Sequence, residues 1–169
     1  MSLLVYGINH RTAPLQLREK IAFGESEQPQ SIKNLLSSNC SVEECFIVST
    51  CNRTEVYCYI ESENSENIRH WLTNEKPVSN EELLNCSYEY WDSDMVSHMS
   101  RVACGLDSMA LGEPQIMGQV KKSIETANQC NSIGENLDLA VRVAVSAAKE
   151  VRTRSKIGEN AVSIAYAAS

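Results

Sequence analysis

The spacing of the apolar residues changes near residue 92, and this change limits the folds that are open to the chain. Before residue 92, short apolar or alternating segments of strand length are separated by turn-like residues. After it, apolar residues recur at the three- and four-residue intervals of amphipathic helices. The pattern predicts a sheet part over about residues 1–92 and a helical part over about residues 93–155.

The sheet part contains four segments with the composition or alternation of β-strands. They are residues 3–9, 44–50, 54–60 and 87–91. Helical patterns lie between them, at residues 14–23, 31–39, 65–72 and 81–84. This order predicts an α+β fold of ferredoxin-like type, in which helices cover one face of an antiparallel sheet and the helical part packs beside it.

Three helices are expected in the helical part. Asp92 or Ser93 is predicted to cap the first, Pro114 lies in the first turn of the second, and the third begins near Gly134. The third helix ends in a basic group of side chains, which are Lys149, Arg152, Arg154 and Lys156. Such a group is typical of a solvated helix end and is also able to contact phosphate. Gly158 interrupts the helical pattern.

The charge of the chain bears on its partners. The 169 residues carry a net charge of -7, which argues against a general nucleic-acid binder. Residues 1–100 have 7 basic and 15 acidic side chains, whereas residues 101–169 have 8 and 7, so an anionic partner would meet the second part more readily. With two phenylalanines and no RNP1-like motif, the sequence gives no reason to expect bases stacked on the sheet.

The cysteines indicate the compartment. Seven of them, an odd number, occur without a signal peptide and without an apolar run long enough to span a membrane. This favours free thiols in a reducing cytoplasm. Because no CxxC pair is present and the spacing fits no familiar zinc site, we expect no metal.

One cysteine has a distinctive setting. Cys51 leaves the end of a predicted buried strand within Ser49–Glu55, the densest polar cluster beside an apolar strand. Arg53 is two residues away, and a nearby guanidinium favours the thiolate form of a cysteine. The spacing alone is not a specific motif and favours an ordinary buried thiol next to a surface arginine.

A cysteine nucleophile often works with a histidine, and the chain has three. His10 follows the first strand, His70 lies on a helix with a surface pattern, and His98 lies on the polar flank of the first helix of the helical part, near Arg101. A turn residue and a rim histidine are the simpler interpretations of His10 and His98.

The segment 105–119 is the third polar cluster. It contains three glycines, two acids and two amides around a helix start, which indicates a shaped loop. Glu113, Gln115 and Gln119 would lie in the first turns of the helix that Pro114 opens, where exposed N–H groups suit an anionic or polar ligand. Ordinary loop and cap chemistry explains the same residues.

Several motifs taken together resemble one family. They are GINHRTAP at residues 7–14, STCNRTE at 49–55, GLDS at 105–108, LGEPQI at 111–116 and GQVK at 118–121. In order and spacing they closely resemble glutamyl-tRNA reductase. The resemblance implies that glutamate esterified to its tRNA is reduced with NADPH to glutamate-1-semialdehyde, the first step of tetrapyrrole biosynthesis, which leads to 5-aminolevulinate and porphyrins.

The resemblance also implies a mechanism. Cys51 matches the family's nucleophile, whose thiolate would attack the aminoacyl ester, release the tRNA and form a glutamyl thioester. Hydride transfer then converts the thioester to an aldehyde. His98 matches the histidine that the family needs for activity, where it would assist proton transfer to the leaving oxygen or poise the thiol.

Further residues match the family's substrate contacts. Arg53 is expected to hold the side-chain carboxylate of glutamate, and Glu113 suits its α-ammonium. The full set of matched contacts is Thr50, Asn52, Arg53, Ser108, Glu113, Pro114, Gln115 and Gln119.

The family pattern continues beyond this chain. It implies an NADPH-binding domain and a C-terminal domain that forms a homodimer, both absent here, and the downstream glutamate-1-semialdehyde aminotransferase as a further candidate partner. We therefore expect residues 1–155 to be the catalytic, glutamyl-tRNA-binding domain and residues 156–169 to begin a linker to the missing NADPH domain. Such a chain would form the thioester and be unable to reduce it alone.

Two other functions stay open on the residues themselves. One is a thiol hydrolase that uses Cys51 and His98 without NADPH. The other is a tRNA-binding module without catalysis, in which alkylation of Cys51 would leave tRNA binding unchanged.

Overall fold

The computed structural model describes residues 1–155 and contains four strands and seven helices there. In chain order the elements are β1 (Ser2–Asn9), α1 (Leu15–Ile21), α2 (Gln28–Ser37), β2 (Val42–Ser49), β3 (Arg53–Ile60), α3 (Glu66–Glu75), α4 (Asn80–Cys86), β4 (Tyr88–Trp91), α5 (Asp92–Ala103), α6 (Gln115–Gln129) and α7 (Glu135–Ser155). The predicted helix break at Gly158 and the predicted linker at 156–169 lie outside the described residues.

The sheet has the strand order β2-β3-β1-β4, and every neighbouring pair is antiparallel. β2 and β3 form a hairpin, while the helices between β1 and β2 and between β3 and β4 lie on crossover connections. This is the split βαβ arrangement of the ferredoxin-like fold, so the predicted fold class is confirmed. The register pairs Asn9 with Arg53, which brings the end of β1 beside the start of β3.

The position of the helical part differs from the prediction. It packs on the second face of the sheet rather than beside it, because that face is also buried: Phe46 and Tyr57 stack at 4.7 Å between ring centroids, and Glu55 is fully buried. α5, α6 and α7 all contact the sheet, and His98 of α5 reaches Glu55 from this side. The polar residues of β3 can be buried on this face because they are paired internally instead of being hydrated.

The first helix of the helical part starts differently from the prediction. Trp91, rather than Asp92 or Ser93, is the N-cap of α5. Asp92 is held at a φ of 48°, and its carboxylate accepts a hydrogen bond from the backbone N–H of Leu3 on β1 at 3.0 Å. α5 follows β4 without a loop. The side chain of Asp92, which was expected to cap α5, instead binds the backbone of β1.

A buried carboxylate fixes the start of α7. Glu44 of β2 accepts hydrogen bonds from the backbone N–H groups of Gly134 at 3.0 Å and Leu137 at 2.7 Å, and from the side chain of Asn136 at 3.0 Å. A Cβ at residue 134 would lie 2.9 Å from the Glu44 carboxylate, so a side chain there would displace the carboxylate from its hydrogen bonds. The negative charge also suits the N-terminus of a helix. In the part of the chain that the structure describes, no helix is long and apolar enough to cross a membrane.

Candidate functional site

The turn between β2 and β3 presents Cys51 to solvent. The turn is fixed by hydrogen bonds from Thr50 N–H to the Arg53 carbonyl at 2.8 Å and from Asn52 N–H to the Thr50 hydroxyl at 3.2 Å. Arg18 of α1 donates to the Cys51 carbonyl at 3.1 Å and to the Asn52 side chain at 3.4 Å. A thiol on a turn held this firmly is positioned for reaction while remaining accessible.

The other cysteines are less accessible than Cys51. Cys40, Cys45, Cys58 and Cys104 are buried, while Cys86 and Cys130 are partly buried. Burial raises the pKa of Cys45 to about 12 and that of Cys58 well above its ordinary value. Since the thiolate is the reactive form, these core thiols are poor nucleophiles.

Arg53 is not the surface arginine of the simpler interpretation, because its side chain is 1% exposed. Its Nη1 atom donates to Glu55 at 2.9 Å, and its Nη2 atom donates to the carbonyl and carboxylate of Asp107 at 2.7 and 3.2 Å. Burial alone would lower the pKa of Arg53, but the charges of Glu55 and Asp107, together with nearby tyrosines, raise it. The guanidinium is a permanent buried cation held between two acids.

Glu55 accepts four hydrogen bonds in the interior. The donors are Arg53 at 2.9 Å, the Tyr57 hydroxyl at 2.5 Å, the Tyr88 hydroxyl, and His98 Nε2 at 2.7 Å. Burial would raise the pKa of Glu55, but the hydrogen bond and charge of His98, with the charge of Arg53, lower it to about 2. The carboxylate of Glu55 is therefore ionised and can only accept hydrogen bonds. His98 must then carry a hydrogen on Nε2, which it donates to Glu55.

The glycine opposite Glu55 makes room for this cluster. Gly7 pairs with Glu55 across β1 and β3. A Cβ at residue 7 would lie 2.5 Å from the Thr54 carbonyl and 2.8 Å from the Glu55 side chain. The GINHRTAP motif thus begins with a residue that the buried carboxylate requires.

His98 is buried at 8% exposure, rather than on the polar flank of its helix as predicted. Its Nε2 atom is bound to Glu55, and the structure does not bring this atom together with Cys51. The ring stacks on Tyr90 at 4.8 Å between centroids and borders a cavity of about 590 Å³.

His10, at the end of β1, has a buried Nδ1 atom without a hydrogen-bond partner among the described residues. Burial and the charges of Arg53 and Arg11 lower the pKa of His10.

The loop that contains Ser108 is anchored through Asp107. In addition to Arg53, the Asp107 carboxylate accepts hydrogen bonds from Arg11 at 3.2 Å and Asn9 at 3.4 Å. The ends of the loop meet where Gly112 N–H donates to the Gly105 carbonyl at 3.0 Å. Both glycines have positive φ values, 85° and 75°, so the shaped loop expected from the sequence is present.

Arg152 of α7 holds the same loop from the other side. It donates to the carbonyls of Cys104 at 2.9 Å and Glu113 at 3.2 Å. This arginine was expected to lie in a solvated basic group. Of that group, Lys149 and Arg154 are exposed, and Arg154 pairs with Glu150, whereas Lys156 lies outside the described residues. The longest helix thus supports the loop beside the candidate site.

The remaining predicted contacts lie along the loop and the start of α6. Ser108 and Glu113 are half-buried, whereas Pro114, Gln115 and Gln119 are exposed, and Pro114 is the N-cap of α6. Gln119 and Ser49 line one small polar cavity of about 90 Å³, which brings α6 next to the end of β2. The structure does not bring Pro114 or Gln115 into that cavity.

Sequence reasoning missed the buried partners of Arg53. Glu55 and Tyr57 could have been found, because they alternate with Arg53 on one face of β3. Asp107 belongs to the GLDS motif, but its pairing with Arg53 could not be found, since the two residues lie 54 positions apart. Within residues 1–155, no group of three or more histidine, cysteine or acidic side chains is arranged to hold a metal ion.

Comparison with known proteins identifies the family of the chain. A family model described as "Glutamyl-tRNAGlu reductase, N-terminal domain" matches residues 6–155. Glutamyl-tRNA reductase of Pseudoalteromonas translucida is 45% identical over 168 residues, covering 99% of this chain and 40% of the relative. That of Neisseria meningitidis is 46% identical over 167 residues, covering 99% and 39%. This chain therefore spans about 40% of the length of these relatives.

A solved structure agrees with the sequence comparisons. Glutamyl-tRNA reductase from Methanopyrus kandleri superimposes with a TM-score of 0.73 at 26% identity, covering 89% of this chain and 34% of that one. The chain belongs to the glutamyl-tRNA reductase family, whose N-terminal domain it matches.

Proposed function

We propose that this chain performs the thioester-forming half of glutamyl-tRNA reduction, with Cys51 as the nucleophile. The observation that carries the proposal is the exposed thiol on a turn held by Arg18 and by its own backbone, in a chain whose other cysteines are more buried. The substrate class follows from the family.

The proposed step balances without a cofactor. The Cys51 sulfur forms a bond to the carbonyl carbon of the glutamyl ester, and the bond from that carbon to the ribose oxygen breaks. The thiol loses one proton and the ribose oxygen gains one, so the products are a glutamyl thioester on Cys51 and free tRNA. Reaction through a thiolate requires the proton to leave sulfur before or during attack.

We propose that Arg53 acts mainly by positioning. Its guanidinium connects the Cys51 turn to Asp107, the residue before Ser108. The sequence-based expectation that Arg53 holds the glutamate carboxylate stays a prediction, and it requires substrate to replace one of the acids that now bind the guanidinium. Thr50, Asn52 and the predicted contacts on the 108–119 segment remain proposed substrate ligands.

The role of His98 is also a proposal. Because Nε2 donates to ionised Glu55, the nitrogen that exchanges a proton with substrate is Nδ1. We propose that His98 gives a proton to the departing ribose oxygen, with Glu55 stabilising the charged imidazole that supplies it.

We propose that reduction of the thioester depends on a part of the family's proteins other than this N-terminal domain. NADPH is implied by the resemblance, but the described residues do not fit a dinucleotide site of the usual type: the sheet is antiparallel throughout, and the glycines of the 105–112 loop pack against their own chain. The homodimer, the aminotransferase partner, the cytoplasmic location and the linker at 156–169 stay predictions.

The experiment is incubation of the chain with glutamyl-tRNA followed by intact-protein mass spectrometry. We expect one glutamyl adduct, mapped to Cys51, and none on Cys51→Ser. Cys86→Ser, which changes a partly buried cysteine, serves as the matched control and should keep the adduct. Rapid release of glutamate without any adduct would favour the thiol hydrolase, and tRNA binding without either product would favour the non-catalytic module.

A further inference from the structure

A cavity of about 590 Å³ lies between α5, β4 and the end of β1. His98 is the one predicted site residue that borders it in the described part of the chain. Its volume is in the range of small-molecule and cofactor sites. The cavity therefore offers room beside His98 for a part of the substrate other than the glutamate.

One wall of the cavity is aromatic. Tyr90 stacks on His98 with centroids 4.8 Å apart and lies 5.8 Å from Tyr88. The Tyr88 hydroxyl is bound to Glu55, so this ring is fixed in place. Tyr90 is 40% exposed, which leaves part of a firmly supported ring available to a ligand. Proteins hold unpaired bases by stacking them on such rings.

The adjacent wall carries groups suited to a sugar and a phosphate. Asp94, Ser97 and Arg101 lie at helical spacing on α5 and line the cavity together. Carboxylate and hydroxyl oxygens accept hydrogen bonds from ribose, and a guanidinium binds phosphate. Arg101 is exposed and forms no ion pair with the residues that the structure describes.

The balance of charge across the cavity also favours an anion at one end. Asp107 faces the cavity, but its carboxylate is already bound by Arg53 and Arg11. The Arg11 side chain remains 57% exposed. Of the two acids that line the cavity, only Asp94 is therefore free to repel a phosphate. Two cations, Arg11 and Arg101, line the same cavity and would attract it.

The cavity also lies at the correct end of the sheet. Asn9 and Arg11 line it, and Asn9 pairs with Arg53, two residues after Cys51. An aminoacyl ester is carried on the ribose of the last nucleotide of tRNA. With the ester at Cys51, that ribose and its base must occupy space immediately beside this turn.

We propose that this cavity binds the unpaired 3′-terminal adenosine nucleotide of the tRNA substrate, with the base against Tyr90, the ribose at Asp94 and Ser97, and the phosphate at Arg101 and Arg11. The inference rests on the proposed function for the identity of the substrate. It assigns the acceptor end to a surface distinct from the basic end of α7, and it names Tyr90 and Arg101 as binding residues.

The test compares two uncharged RNA minihelices, one ending in CCA and one ending in CC. We expect the chain to bind the CCA form about tenfold more tightly, in line with about 1.4 kcal/mol for one stacked base. Tyr90→Ala and Arg101→Ala should each remove most of this difference, whereas Tyr90→Phe keeps the ring and should retain it. Arg142→Ala, which changes an exposed arginine paired with Asp138, is the matched control.

Two results would overturn the inference. One is equal affinity of the unmodified chain for the CCA and CC minihelices, and the other is displacement of the CCA minihelix by NADPH, which would make the cavity a cofactor site. A CCA preference that depends on Tyr90, in a chain that forms no adduct at Cys51, would support the inference and count against the proposed catalytic step instead. The two ideas therefore fail separately.

Discussion

The Arg53 guanidinium donates hydrogen bonds to both the carbonyl and the carboxylate of Asp107, a residue 54 positions further along the chain. This contact joins the turn that carries Cys51 to the loop that carries Ser108. Arg53 also binds Glu55, which in turn binds His98. A buried network of opposite charges thus connects the separate parts of the candidate site.

Loss of the Arg53 charge should destabilise the protein strongly. Arg53→Met leaves Glu55 and Asp107 buried without their cation, and breaking a buried pair in this way costs about 3–5 kcal/mol. The free energy of unfolding in urea measures the effect. Arg142→Met, at an exposed pair with Asp138, should cost less than about 1 kcal/mol. Equal effects of the two substitutions would contradict the assigned burial of the Arg53 network.

Glu55 should make stability depend on pH in acid. Its pKa is about 2 in the folded chain against an ordinary value of 4.5, so folding is favoured by the ionised form. The contribution is fully present above about pH 4.5 and is lost as the pH falls toward 2. We expect the free energy of unfolding of the unmodified chain to fall over this window more steeply than that of Glu55→Gln. Parallel curves would show that Glu55 is not the group responsible.

Cys51 should be the first of the seven thiols to be alkylated. Under native conditions at neutral pH, limiting iodoacetamide followed by peptide mapping should label Cys51 well ahead of Cys45 and Cys58, whose pKa values are raised by burial. In denaturant the rates should converge. Preferential labelling of a core cysteine in the folded chain would contradict the assigned environments.

The glycine at the base of the 105–112 loop should be intolerant of a side chain. Gly105 has a φ of 85°, and an added Cβ would lie 2.8 Å from the Cα of Gly112, so Gly105→Ala should cost about 1–3 kcal/mol. Gly118 lies within α6 with nothing within 4 Å of an added Cβ. Gly118→Ala should therefore stabilise the chain by up to about 1 kcal/mol. Thermal unfolding of both variants checks the sign of each change.

The elements of the fold were largely predictable because they depend on local periodicity. Apolar spacing separates β1–β4 from the long helices, and the strand order follows from their succession. The cap of α5 was predicted wrongly because the Asp92 side chain is used by Leu3, a contact across the sheet. Nothing near residue 92 in the sequence indicates that competition.

The sequence motifs indicated which residues form the candidate site, but they did not indicate which side chains contact one another there. Cys51 and the loop at 105–119 stand out by composition, and the resemblance assigned their roles. Glu55, which binds Arg53 from two residues away, was visible in the alternation of β3. Asp107 and Arg152 act over separations of 54 and 48 residues that spacing does not reveal. The helical part covers the second sheet face because the charged residues of that face are paired and buried, which the one-face arrangement predicted from the sequence did not anticipate.

The central claim is that glutamate moves from tRNA to the sulfur of Cys51. The most direct measurement is a rapid-quench reaction with radiolabelled glutamyl-tRNA, in which label on the protein and tRNA released are counted over time. We predict that both appear together in equal amounts, that hydroxylamine removes the protein-bound label, and that Cys51→Ser gives none. Release of tRNA with no label on protein, or label that persists in Cys51→Ser, would contradict the account.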